Sequence, residues 1–363
     1  MFDLELTEEQ QLIRETVASF AAEQIRPLMR DCDENGEIPQ NIIDQGFELG
    51  LVQSAIPEAH GGFGENRSSV TGCIVAEELA VGDVSIAMQL LAPRLVAYPL
   101  IDGGTEAQKA KFLPGFAETY RAASAAVVEP RFDFDPANPA TTARADGSEW
   151  VVNGEKCFVP LASDSEVFLV TAATESGVRA LLVERGASGV TVREREKNMG
   201  LKALPTHEVV FENVRVPAEN LLGGDEGFDV ARMTNQGRLA LGSLAVGMAR
   251  AAYEFSVEYA KERTAFGVPI AQKQAIAFIL ADMAIEVDAA RLLLWEAAHK
   301  LDSGEDATRE CFLAKRYAAQ ACLQISDNAV QVLGGHGYVR DFPVELWLRN
   351  ARGFSSFEGL ALV

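Results

Sequence analysis

The sequence predicts an α+β chain in three parts: an N-terminal helical domain over residues 1–121, a middle antiparallel β domain over 122–224, and a C-terminal helical bundle over 225–363. Three observations carry this. At 363 residues the chain exceeds the size at which one hydrophobic core usually stays undivided. Its apolar residues recur at helical spacing as far as about Tyr120, and again from about Phe228. Between about Ala122 and Leu222 the pattern breaks into short runs bounded by Gly, Asp, Asn and Pro, as strands do.

Each element follows from local chemistry. Thr7 and Gln10 have capping-box spacing, and Leu12, Ile13, Val17 and Phe20 then follow at helical intervals. A second helix is predicted from about Asn41 to Leu51, ended by the turn residues of Pro57-Glu58-Ala59-His60-Gly61-Gly62-Phe63-Gly64. Helical pattern resumes near Ser69. In the middle domain Thr171–Ala173, Ala180–Val183 and Val209–Phe211 read as strands. Asp146-Gly147 and Asn153-Gly154 flank Trp150-Val151-Val152, a hairpin signal. Three long stripes then follow: Leu244 to Tyr259, Ile276 to Leu301 ending at Gly304, and Ala307 to Leu333 ending at Gly334-Gly335. Three such helices and a shorter return element imply an antiparallel bundle.

Composition narrows the function. The net charge of −21 argues against a nucleic-acid groove or an anionic membrane surface, both of which need basic patches. Five cysteines without a CxxC pair fit reduced thiols, and four scattered histidines give no metal-ligand spacing, so no metal is expected. The N-terminus shows neither a basic n-region nor an apolar h-region, so a cytoplasmic protein is expected.

Two blocks point further. One is Tyr259-Ala260-Lys261-Glu262-Arg263-Thr264-Ala265-Phe266-Gly267-Val268-Pro269-Ile270; the other joins Gln331-Val332-Leu333-Gly334-Gly335-His336-Gly337-Tyr338 to Phe357-Glu358-Gly359. With the helix–strand–helix layout, they make the whole chain resemble the acyl-CoA dehydrogenase family. The resemblance implies an FAD-dependent oxidoreductase that converts an acyl-CoA to its trans-2-enoyl thioester. An electron-transfer flavoprotein is implied as electron acceptor, and a tetramer as the assembly. It makes Glu358 the base that removes the α-proton. Arg263, Phe266, Gln331 and Gly335 are implied to reach a neighbouring subunit's FAD, where a guanidinium suits phosphate oxygens. Arg238 aligns with an arginine lining the active-site cavity. Each has a plainer reading: Arg263 as a helix C-cap, Arg238 as a structural ion pair, Glu358 as a surface residue.

The sequence also departs from the family. The usual Thr-Glu-Pro reads Val128-Glu129-Pro130, and the Gly-Ser-Asp segment after it is missing. Beside the flavin ring the family places an aromatic and a hydroxyl; here stand Phe158 and Pro160, and Pro160 has no N–H to offer. Two lost hydrogen bonds at roughly 0.5–1.5 kcal/mol each weaken flavin binding by about tenfold to a hundredfold. Leu360 replaces the usual Thr after Glu-Gly, and the family's following helix is not in the sequence. These departures leave two alternatives open. One is a supporting subunit that completes a partner's FAD site in a heteromeric dehydrogenase; the other is a relative acting on a non-CoA thioester.

Overall fold

The structure, a computed structural model, describes residues 5–363; the first four residues of the predicted N-terminal domain lie outside them. The opening helix forms where the cap predicts it. In α1 (Glu8–Phe20) the Thr7 side chain accepts from the Gln10 N–H, and Gln10 reaches back to Thr7. The helix widens into a π turn at Ala21–Ile25 and continues to α2 (Met29–Asn35), closed by Gly36 in the left-handed region. Then follow α3 (Gln40–Glu48), α4 (Ser69–Gly82), α5 (Val84–Leu91), α6 (Arg94–Gly103) and α7 (Glu106–Glu118). Helices α4, α5 and α6 are buried almost all round, so they form the centre of the N-terminal layer. No single helix among the described residues is long and apolar enough to cross a membrane; the bent pair α5–α6 approaches that composition because it is core.

The middle domain is one sheet of seven strands: β1 (Ser124–Ala126), β2 (Thr142–Asp146), β3 (Glu149–Pro160), β4 (Val167–Thr174), β5 (Gly177–Glu184), β6 (Val190–Arg195) and β7 (Thr206–Pro217). The order is β1-β4-β2-β3-β7-β6, with β5 paired to β4. Two expectations need correction. The sheet is not wholly antiparallel, since β4 runs parallel to both β1 and β2. Only the first of the two Gly signals is a turn: Asp146 pairs with Glu149 around Gly147. Asn153-Gly154 sits inside β3 at a register shift, where a Cβ on Gly154 would come within 2.4 Å of Thr141. Glycine marks a bulge there, as it also can in a strand.

The bundle contains α8 (Val230–Glu262), α9 (Gln274–Asp302) and α10 (Thr308–Leu333), with α11 (Val344–Ala351) returning across it. Asn235 near the start of α8 donates to Thr308 at the start of α10, and Tyr259 near the end of α8 bonds His336 just past α10. Thus α8 and α10 run parallel, with α9 antiparallel between them in sequence. One apolar core joins the bundle to the N-terminal helices, and a second is formed within the middle domain by residues of its own strands and connections.

Candidate active site

Glu358 sits where bundle, sheet and N-terminal helices meet. After α11 the chain turns so that Phe357 lies on Gly353, where a Cβ would come within 2.0 Å of the ring. Phe357 packs edge-on against Phe354 at 5.6 Å and against Phe158 of β3 at 5.9 Å. From α10, the Lys315 Nζ donates to the main-chain oxygen of Phe357 at 2.7 Å. Gly359 follows at φ +69°, and a Cβ on it would stand 2.8 Å from the Val127 side chain. Only glycine combines that backbone with that approach, so the Glu-Gly pair is a geometric requirement.

The Glu358 carboxylate is largely buried and faces two cations, with Arg238 Nε 3.6 Å and Lys315 Nζ 3.5 Å from Oε1. Burial pulls the Lys315 ammonium below its ordinary range, and Glu358 opposes that pull. The Arg238 guanidinium also lies over the Phe312 ring at 5.3 Å, while its buried Nε has no hydrogen-bond partner. A buried N–H left unpaired is uncommon and is available to a ligand. Sequence reasoning missed Lys315. Its signal was position: Cys311, Ala314, Ala318 and Cys322 form the buried stripe of α10, and a lysine stands within it.

The sheet supplies the opposite wall. Val128 is buried and its carbonyl accepts from the Cys157 N–H; Phe158 is held at φ +51°, its N–H donating to Glu196. Pro160 is buried, and its carbonyl accepts from the Ser124 hydroxyl. Behind this wall Lys156 Nζ donates to Glu129 Oε1 and to the Val127 carbonyl, each at 3.0 Å. Burial would raise the Glu129 carboxyl, but Lys156 and the Ala140 and Thr141 amides overcome it and hold it at about 2.

Arg263, Phe266, Gln331 and Gly335 gather elsewhere, at the end of the bundle where the Tyr259–His336 bond of 2.8 Å joins α8 to the turn after α10. The Arg263 N–H caps α8, while its side chain is exposed and has no partner among the described residues. Phe266 is exposed at φ +53°, and nothing lies within 4 Å of a Cβ placed on Gly334 or Gly335. Two helices present their partly negative C-termini here, so Arg263 is the charge that would admit an anion. Lys315 and Gln331 are 16 residues apart on one straight helix, about 24 Å at 1.5 Å per residue. The structure therefore brings Glu358, Arg238 and Phe158 to one place, with Val128 beside Val127 and Pro160 two residues along β3 from Phe158, and Arg263, Phe266, Gln331 and Gly335 to the end of the bundle.

Family descriptions match in three consecutive blocks: "Acyl-CoA dehydrogenase, N-terminal domain" over residues 7–119, "middle domain" over 124–214 and "C-terminal domain" over 225–361. The chain is 35% identical to a short-chain specific acyl-CoA dehydrogenase of Megasphaera elsdenii, covering 98% of this chain and 96% of that one. At 35% identity and the same coverages it is similar to the CarC subunit of the caffeyl-CoA reductase–Etf complex of Acetobacterium woodii. The solved butyryl-CoA dehydrogenase of Megasphaera elsdenii superposes with a TM-score of 0.89 at 34% identity, covering 99% of this chain and 96% of that one.

Proposed function

The chain belongs to the acyl-CoA dehydrogenase family, and from that premise we propose that Glu358 is the base in its α,β-dehydrogenation of an acyl-CoA thioester. The activity uses FAD as cofactor. The observation that carries the assignment of the base is the setting of Glu358: a largely buried carboxylate between Arg238 and Lys315, facing the wall formed by Val127 and Phe158. A carboxylate withdrawn from bulk water meets a weak carbon acid without a hydration shell to strip at the moment of transfer. In the balanced reaction the α-proton passes to the Glu358 carboxylate. The α C–H electron pair becomes the new double bond, and the β-hydrogen leaves with its two electrons. FAD, when bound, supplies the acceptor for that hydride.

Lys315 positions the base by holding the Phe357 carbonyl, and Gly359 positions it by admitting Val127. The residues fit an FAD unequally. Arg263, with Gln331, Gly335 and the exposed Phe266 ring, offers a free guanidinium and open space for the phosphate end. Val128, Phe158 and Pro160 would give the ring system apolar contact but no side-chain hydrogen bond. The roughly 24 Å between the two groups along α10 supports a site completed by a second chain. A further support for self-association lies on α9, where Phe278, Ile285 and Leu292 are exposed at every seventh position. We assign a tetramer on these grounds, with domain limits at residues 121 and 224. Similarity to a subunit of a reductase complex named with Etf supports an electron-transfer flavoprotein as redox partner, which in the direction of dehydrogenation is the acceptor. The names of the relatives favour a short acyl chain and do not favour a purely supporting subunit.

Replacing Glu358 by Gln keeps the size of the side chain and removes the base. Turnover of butyryl-CoA, followed with an artificial electron acceptor, is expected to fall by about 10²–10⁴-fold. Retention of the full rate would remove Glu358 from the mechanism.

A further inference from the structure

Residues Leu360, Ala361, Leu362 and Val363 are each no more than 3% exposed. They leave Glu358 and run between helices rather than over the surface. A Cβ on Gly237 of α8 would meet the Ala361 oxygen and the Leu362 side chain at 3.5 Å, and one on Gly72 of α4 would stand 2.6 Å from Val363. Gly72 is the notch that lets this apolar segment lie against α4, while at Gly237 a Cβ would make only ordinary contact with it. Arg67, itself bonded to Asp102 and stacked on Tyr98, donates to the Val363 main-chain oxygen at 2.9 Å. Val363 also lines a groove of about 600 Å³ that is open to the surface, together with Leu12, Leu51, Phe63, Val75 and Tyr98. The segment thus separates the candidate base from sizeable space.

We propose that Leu360–Val363 form the far wall of the acyl site and set its depth, so that this chain accepts short acyl groups and excludes long ones. This rests on the reading that Glu358 faces the acyl α-carbon. An acyl chain leaving that point must follow apolar surface, and the apolar slot that begins there is already filled by the chain's own side chains. Close-packed interiors do not yield such space without displacement. Trimming Leu362 and Val363 to alanine would join the slot to the groove beside Val363 and lengthen the path.

The experiment measures binding, independent of turnover. Full-length protein with FAD supplied is titrated calorimetrically with S-butyl-, S-octyl- and S-dodecyl-CoA, thioethers that cannot be dehydrogenated. Unaltered protein is expected to bind S-octyl-CoA no more tightly than S-butyl-CoA. L362A/V363A is expected to prefer the octyl compound by about tenfold or more, given what each buried methylene contributes, with V363A alone shifted part of the way. The single variant loses only two methyl carbons, so it keeps the test available if the double variant does not fold. The same chain-length profile in unaltered protein and variants overturns the proposal. So does binding of every length by the variants alone, which would make the segment a block rather than a measure. Failure of both proteins to bind even S-butyl-CoA would instead overturn the acyl-CoA reading itself.

Discussion

Changing Lys156 to Met isolates the support behind the wall that faces Glu358. Lys156 is fully buried, with Nζ 3.0 Å from Glu129 Oε1 and 3.0 Å from the Val127 carbonyl. Burial draws the ammonium down to about 8, and Glu129 resists that. The same pair holds the carboxyl at about 2, against a reference of 4.5. For Glu129 the sign is clear. Its folded value lies below the unfolded one, so the stabilisation is present above about 4.5 and is lost as pH falls through 2. Roughly 2.5 pKa units at 1.36 kcal/mol each is about 3 kcal/mol. Desolvating Lys156 costs a comparable amount, so the intact pair contributes little net stability, but its rupture does not share that balance. Methionine leaves Glu129 ionised and buried with the partly exposed Arg131, 3.3 Å from its other oxygen, as the cation that remains, a loss of about 3 kcal/mol. Urea denaturation at pH 7 reads this directly. The deficit should shrink as pH falls toward 5, because Glu129 of K156M can then take up a proton; the unaltered pair has nothing to titrate in that window. Adding Glu129→Gln to K156M should recover about 1 kcal/mol, since the buried charge is removed while the single carboxamide oxygen keeps one of the two bonds from the Ala140 and Thr141 amides and the other N–H loses its acceptor. A loss below about 1 kcal/mol, or a double variant weaker than K156M, would refute the reasoning.

Gly359→Ala should lose about 1–3 kcal/mol of stability and most of kcat, because φ +69° and the 2.8 Å approach to Val127 both resist a methyl group; thermal melting and steady-state rates check both. Asp83, fully buried at the N-cap of α5, is pushed up to about 6 by burial despite the amides it accepts from. A folded value raised above 3.8 gives stability that is complete below 3.8 and lost as pH rises through 6. Asp83→Asn should therefore remove a decline in stability between about pH 4 and 6, seen in urea midpoints. Arg263→Gln should weaken FAD retention by about tenfold to a hundredfold, the worth of one charge-assisted hydrogen bond, without changing the melting of the flavin-free chain.

What could be read from the sequence was mostly local. Thr7 and Gln10 announced their helix because a capping box needs only four residues, and the stripes of α8, α9 and α10 carried their own period. The parallel pairing of β4 with β1 and β2 could not be read, since it joins residues more than thirty apart through main-chain bonds that leave no pattern. Asn153-Gly154 misled because a hairpin turn and a bulge ask for the same residue. At the site, the Glu358-Gly359 pair and Arg238 stood out in the sequence, and the structure puts Arg238 beside that carboxylate. Lys315 went unread because a lysine on an apolar stripe shows its meaning only when the stripe faces a carboxylate. Leu360–Val363 gave no signal at all: four apolar residues without a period do not say which helices will enclose them.

The most direct measurement is the visible absorbance of bound flavin after butyryl-CoA is mixed with the FAD-loaded protein in the absence of oxygen. The account predicts rapid bleaching by the unaltered chain, and an E358Q protein that retains FAD and binds butyryl-CoA yet bleaches orders of magnitude more slowly. Bleaching of E358Q at the unaltered rate, or a flavin-loaded unaltered chain that no acyl-CoA reduces, would contradict it.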